Sequence, residues 1–275
     1  MARKTNQLKM NSSEKKVITI LAIAAVFSVL VCGGLFYIND FYKATETADT
    51  AMFGNEQVTV TEKGKYYLFD LAEEVVEEQS TQQDKGDGTE SESSAQQKGV
   101  IFYPGGKVEE TAYAPLLLEL AENGYEVYLV KMPMKLAVFG MNRAEEIMAE
   151  ASHITEWTMM GHSLGGAMAA SFSAGHDEQV DKLVLLAAYS TEDLTDKDMD
   201  VYSFYGTEDK VLNMDKYQEY YGNLPENVVE EVIDGGNHSG YAYYGEQDGD
   251  GEASISREEQ QECVLDVLLQ YEVRK

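Results

Sequence analysis

EWTMMGHSLGGAMAASFSAG, residues 156 to 175, is the stretch whose reading decides the fold. It begins with a short apolar run and closes with small residues (Gly165, Gly166, Ala167, Ala169, Ala170), and between the two stands Gly161-His162-Ser163-Leu164-Gly165. That is strand, sharp turn, helix. The pattern GxSxG at such a junction holds a serine on a strained turn, and a glycine two residues to either side leaves room that a side chain would block. Ser163 is therefore the candidate nucleophile, and a serine hydroxyl needs a base.

Working outward, residues 99 onward alternate short apolar runs with amphipathic segments. The runs are VIFY (100–103), EVYLV (126–130), EWTMM (156–160), KLVLLAA (182–188), VYSFY (201–205) and VVEEVI (228–233). Helices are predicted near 109–122, 141–152, 164–174 and 214–222, and a closing helix over 257–272 begins with Ser256 and Glu259 in capping-box spacing. This alternation predicts a mostly parallel sheet with helices on both faces. Ligands in such sheets lie at the carboxyl ends of the strands, so residues just after each run are the candidates for chemistry. Upstream, QVTVTEKGKYYLFDL (57–71) alternates apolar and polar residues around Lys63-Gly64, a hairpin signal. The stretch 77–98 is polar and free of large apolar side chains, which predicts a disordered insert.

The chain has four histidines. His162 belongs to the turn itself, and His153 and His176 fall beside helix ends. His238, in DGGNHSG after the last run, is the base by elimination and position. The acid that orients it should follow a strand and lie between serine and histidine. Asp209, in FYGTEDK, meets both conditions, whereas Glu208 is out of phase, Asp234 lies in the histidine's own loop, and Asp193, Asp196, Asp198 and Asp200 precede the strand. Acyl chemistry also needs two backbone donors for an oxyanion. Leu164 follows the nucleophile and supplies one. The other is expected from FYPGGK (102–107), where Gly105 and Gly106 permit close approach and Gly105 is preferred by offset. A plain strand-to-helix turn would use glycines there too.

The formal net charge is -28 over 275 residues, distributed unevenly. Residues 1–16 form a basic N-terminus with five basic side chains and one acid, so the rest of the chain carries -32. Such a surface repels phosphate backbones and argues against nucleic acid as a partner. Val17 to Ile38 is uncharged for twenty-two residues, long enough as a helix to cross a bilayer core of about 30 Å. It exceeds a signal peptide's apolar core and carries no small-x-small site at its end, so a retained transmembrane anchor is expected. Basic residues before it and acidic ones after it direct the N-terminus to the cytoplasm and the remainder outside. Residues 39–55 read as a polar stalk, leaving 56–275 for one domain. Cys32 and Cys263 provide no disulfide framework.

With FYPGGKVE, GYEVYLVKMP, GHSLGG, YGTEDKVL, GGNH and YGEQDGDGEASISREEQQ taken together, residues 64–272 resemble the bacterial α/β-hydrolase fold-5 family. GHSLGG is shared by many lipases and esterases, and the proline-glycine loop with the SREEQQ helix start is more specific. The resemblance implies an α/β-hydrolase fold related to dienelactone hydrolases and small esterases, a triad on Ser163, Asp209 and His238, and a small-molecule ester or acyl substrate. No metal or organic cofactor is implied. The same triad would serve acyl transfer or peptide cleavage, and a non-catalytic envelope module is the rival from another class. Between Tyr189 and Asp200 only about a dozen residues stand where relatives often insert a lid, so no large cap is expected.

Three features stay open. The methionine-rich loop KMPMKLAVFGMN (131–142) either lines an acyl pocket or is buried under a helix. DGDGE (248–252) is acidic like a calcium loop, yet Ala253 stands where such a loop needs glycine, so a metal is not expected. Tyr241, Tyr243 and Tyr244 either face substrate or pack over the sheet edge.

Overall fold

The computed structural model describes residues 39–72, 75 and 97–272, together with 21, 27–29, 33, 34 and 37. The chain divides into two units, residues 1–40 and 41–275. In the first, the described residues 21, 27–29, 33, 34, 37 and 39 are helical, and Leu21, Phe27, Val29 and Tyr37 are exposed. Most of the expected span 17–38 and nearly all of the insert 77–98 lie outside the described residues. Among the described residues no helix is long and apolar enough to cross a membrane.

The second unit is built on an eight-stranded sheet. Its strands are β1 (Val58–Lys63), β2 (Tyr66–Leu71), β3 (Lys98–Tyr103), β4 (Glu126–Val130), β5 (Glu156–His162), β6 (Lys182–Leu186), β7 (Asp200–Gly206) and β8 (Val229–Ile233). They lie in the order β1-β2-β4-β3-β5-β6-β7-β8. The β1–β2 hairpin pairs antiparallel through a two-residue turn, Gly64-Lys65, and β2 joins β4 antiparallel; every other pairing is parallel. Each apolar run of the sequence became one strand; those of β3 to β7 are apolar at successive positions because they are covered on both faces, whereas edge strand β8 alternates exposed positions with more buried ones.

Alternate residues of those strands feed two cores. Val100, Phe102, Val127, Leu129, Met160 and Phe204 meet α2 (Ala114–Glu122) and α6 (Arg257–Glu272) on one face. Ile101, Tyr103, Tyr128, Val130, Met159 and Leu185 meet α3 (Arg143–Glu150) and α4 (Leu164–Gly175) on the other. Each such side chain contributes roughly 1.5–3 kcal/mol on burial. A further helix, α5 (Met214–Tyr220), follows β7, and the connection between β6 and β7 contains no helix. The capping box at α6 is formed: Ser256 N–H donates to Glu259 Oε2 (2.8 Å) and Glu259 N–H to Ser256 Oγ (3.1 Å).

The segment 39–55 is not a free stalk, and the folded unit begins near Phe41 rather than at 56. Residues Glu46–Ala51 form helix α1 with Ala48 fully buried. Tyr42 N–H donates to Lys107 C=O, Glu109 N–H to Tyr42 C=O and Thr45 N–H to Tyr243 C=O, each at 2.8 Å. Tyr42, Ala44, Ala51 and Met52 pack on the core. These few apolar residues are diluted among polar neighbours, so average polarity hid a docked face.

Candidate active site

Parallel register aligns the strand ends. Tyr103 pairs with Gly161, His162 with Leu186, Leu186 with Phe204, and Gly206 with Ile233. The loops that follow β3, β5, β6, β7 and β8 thus emerge along one edge. All five non-glycine residues of positive φ among the described residues lie in loops after β3 to β6: Lys107, Met134, Lys135, Ser163 and Ala187. Backbone strain of this kind costs about 1–3 kcal/mol per residue and clusters at functional sites.

Ser163 has φ 52° and ψ -121° and caps α4. Its N–H donates to Leu186 C=O at 2.9 Å, which ties the turn to the neighbouring strand. The flanking glycines are required by space. A Cβ on Gly161 would lie 2.6 Å from the Gly165 backbone, and one on Gly165 would lie 2.1 Å from Tyr103 O.

Asp209 follows β7 and His238 follows β8, and the fold brings them together. His238 Nδ1 and Asp209 Oδ2 are 2.8 Å apart, both side chains almost fully buried. The other carboxylate oxygen, Oδ1, accepts the N–H groups of Val211 and Leu212 at 2.8 Å each. One oxygen is therefore held by backbone and the second is aimed at the imidazole. The His238 ring lies 4.6 Å from that of His162, the residue before Ser163. Ser163 Oγ makes no hydrogen bond to His238; catalytic contacts of this type are often long without substrate and tighten on binding. Of the other histidines, His153 pairs with Glu126 and His176 stacks on Phe172, and neither belongs to this cluster.

The expected oxyanion donor Gly105 requires correction. Its N–H donates to Tyr113 Oη at 2.9 Å, inside the core. The loop turns Gly105 inward and leaves Gly106 half-buried, where a Cβ would meet Leu164 Cδ2 at 3.0 Å and Leu136 Cδ2 at 3.7 Å.

Tyr113 and His162 are contributors that sequence reasoning passed over. Tyr113 Oη accepts from Gly105 N–H and shares a hydrogen bond of 2.8 Å with His162 Nδ1. Burial first, and the neighbouring His238 second, hold the His162 pKa well below its usual value. His162 is thereby kept neutral beside the His238 ring. The histidine loop has its own clamp: fully buried Gln260 accepts from Asn237 N–H (3.0 Å) and donates to Asn237 C=O (2.8 Å). The SREEQQ helix start was the only sequence signal for it.

The loop after β4 is partly core and partly surface. Met132 and Ala137 are buried, whereas Met134, Val138 and Phe139 are exposed. Lys107 N–H donates to Lys135 C=O at 2.8 Å, which fastens this loop to the Gly105-Gly106 loop. Tyr241 and Tyr244 are buried and pack with the core, and Tyr243 donates to Glu258. Among the described residues no group of three or more His, Cys, Asp or Glu side chains is placed to hold a metal ion.

A strained serine at a strand-to-helix turn, in a sheet of this topology, defines the α/β-hydrolase class. The chain belongs to the alpha/beta hydrolase family, whose model matches residues 99–262. No curated protein matches it. Among solved structures it is similar to a CIB-like hydrolase of Thermoplasma acidophilum, with 14% identity, TM-score 0.54, and coverage of 77% of this chain and 98% of that one. It is also similar to MGS-MChE2, an alpha/beta hydrolase from the metagenome of Mar Chica lagoon sediments, with 13% identity, TM-score 0.52, and coverage of 78% and 99%. Esterase 2 of Thermogutta terrifontis, phosphoramylated by tabun, has 10% identity, TM-score 0.51, and coverage of 78% and 95%. At these identities the likeness is one of fold.

Proposed function

We propose that the protein is a serine hydrolase that cleaves carboxylic esters through an acyl-enzyme. The observation that carries the reading is the buried Asp209–His238 hydrogen bond beside the strained turn of Ser163. Ser163 Oγ attacks the ester carbonyl and its proton passes to His238 Nε2. Asp209 Oδ2 accepts a hydrogen bond from Nδ1–H, which fixes the tautomer and favours the imidazolium. The N–H groups of Leu164 and Gly106 hold the oxyanion. His238 then returns the proton to the leaving alcohol, and water repeats the sequence to release the acid. Leu136 and Leu164, which flank Gly106, supply an apolar wall suited to an acyl chain, and exposed Met134, Val138 and Phe139 lie in the same loop as Leu136.

We place the enzyme at the cell membrane, anchored by residues 17–38, with the N-terminus cytoplasmic and the catalytic unit outside. The uncharged twenty-two-residue stretch and the charge reversal across it support this. Protease added to intact spheroplasts should digest the catalytic unit; its full protection would refute the orientation.

The esterase of T. terrifontis carries an organophosphorus adduct, and the test uses that reagent class. A fluorophosphonate probe should label Ser163, with Ser163→Ala unlabelled and inactive on aryl esters. Folded wild-type protein that stays unlabelled and inactive would overturn the reading. A series of p-nitrophenyl esters of increasing chain length reads the acyl preference.

A further inference from the structure

We infer that Asp250 is a positioning residue for the catalytic pair, a single carboxylate that fastens the acid-bearing loop to the base-bearing loop. The inference rests on the triad reading above. Asp250 lies in DGDGE, an acidic stretch without regular structure between the histidine loop and α6. Its carboxylate accepts four backbone N–H groups. Oδ1 takes those of His238 (3.2 Å), Lys210 (3.3 Å) and Gly251 (2.8 Å), and Oδ2 takes that of Ser239 (2.9 Å). Two of these donors are His238 itself and its successor, and a third directly follows Asp209. One side chain thus spans both members of the pair from the backbone side, while the pair's own hydrogen bond closes the loop on the side-chain side.

The surrounding backbone is shaped for this approach. A Cβ on Gly251 would lie 1.9 Å from Glu208 O, so only glycine lets the DGDGE loop lie against the acid loop. Asn237 Nδ2 donates to Gly251 C=O at 2.8 Å, and Ser254 N–H donates to Gly235 C=O at 2.9 Å, which hold the same loop to the histidine side. A carboxylate suits the place because it is acceptor-only and meets three converging donors on one oxygen and a fourth on the other. Within the acidic run that resembles a calcium loop in sequence, the Asp250 carboxylate accepts backbone donors. The Asp250 carboxylate bonds backbone N–H groups and not the imidazole nitrogens of His238. Its effect reaches the reaction through where Asp209 and His238 stand, and misplacement of about 1 Å in such groups can cost about 100-fold in rate.

The test compares full-length wild type, Asp250→Asn, Asp250→Ala and the control Asp248→Asn, whose side chain joins neither loop. Each is titrated with the fluorophosphonate probe so that rates are expressed per competent site, and each is checked by thermal melt. Asp250→Asn places an amide NH2 against backbone donors, and kcat for an aryl ester should fall about 10- to 100-fold with KM within twofold. Asp250→Ala should fall at least as far, and Asp248→Asn should match wild type. The downfield proton resonance of the Asp209–His238 hydrogen bond should shift or broaden in the Asp250 variants while the fold remains intact. The inference is overturned if Asp250→Asn keeps kcat within twofold, if Asp248→Asn loses as much, or if the loss only tracks the unfolded fraction. Wild type that takes no probe at Ser163 would instead overturn the triad reading.

Discussion

Gly165→Ala tests whether the distance between the serine turn and the oxyanion loop is set by backbone contact. The new Cβ would lie 2.1 Å from Tyr103 O, 2.4 Å from Pro104 O and 2.6 Å from Tyr103 C. Ordinary van der Waals contact begins at 3.4 Å, so the end of β3 must retreat by about 1.3 Å relative to α4. Tyr103-Pro104 leads directly into Gly105-Gly106, and the Gly106 N–H retreats with it. A donor moved that far leaves the 2.7–3.2 Å range of a hydrogen bond. Loss of one oxyanion donor costs about 10²- to 10³-fold in kcat, or roughly 2.7–4 kcal/mol, and the overpacking costs about 1–3 kcal/mol of stability. The assay is hydrolysis of a p-nitrophenyl ester per titrated site, with thermal melts on the same samples. Gly175→Ala, at the far end of the same helix with no atom within 4 Å of the new Cβ, should keep full activity and equal or slightly higher stability. A folded Gly165→Ala with kcat within threefold of wild type would refute the reasoning.

Asp209→Asn should lower kcat by about 10⁴-fold, because an amide cannot hold the His238 tautomer, and steady-state kinetics on the folded variant check it. Tyr113→Phe removes the acceptor of Gly105 N–H and the hydrogen-bond partner of His162 Nδ1, and should cost about 1–3 kcal/mol for each group left unpaired, read as a lower urea midpoint. His162 stays neutral in the native protein, so below pH about 6.5 only the unfolded chain takes up that proton. Stability should then fall with falling pH by about 1.4 kcal/mol per unit from this group, and be flat above 6.5; a urea series in which His162→Gln retains the wild-type slope between pH 6.5 and 5 would count against it. Burial, aided by Glu231, Asp266 and Glu262, pushes the Cys263 thiol up. Peptide mapping should therefore find Cys263 alkylated slowly by iodoacetamide at pH 8 until urea unfolds the chain.

What was legible in advance is what local chemistry encodes. The apolar runs marked β3 to β7 because strands covered on both faces demand them, and the boundaries of β4 and α6 coincided with the expected residues. GHSLGG declared its turn because the strained φ of Ser163 and the close approach of Gly165 to Tyr103 O leave few residue types that fit. Chain order then singled out Asp209 and His238, since parallel strands put the loops after β7 and β8 side by side.

Less legible were groups whose role depends on a partner far along the chain. Helix α1 reads as polar linker until Ala48 and its neighbours meet the core. Gly105 and Gly106 are equivalent as letters. Only the packed structure decides that Gly105 faces Tyr113, eight residues on and itself bonded to His162, while Gly106 stays half-buried. Asp250 reads as surface acid or metal ligand until four N–H groups from three separate places converge on it. Sequence by itself determined the strand-turn-helix elbow, the parallel sheet and the order of serine, acid and base, because these follow from backbone sterics and hydrophobic periodicity. Tertiary structure alone decided that Gly105 N–H is taken by Tyr113 and that Asp250 accepts N–H groups from both loops, because the direction of a hydrogen bond is set by whatever distant group packing brings within about 3 Å.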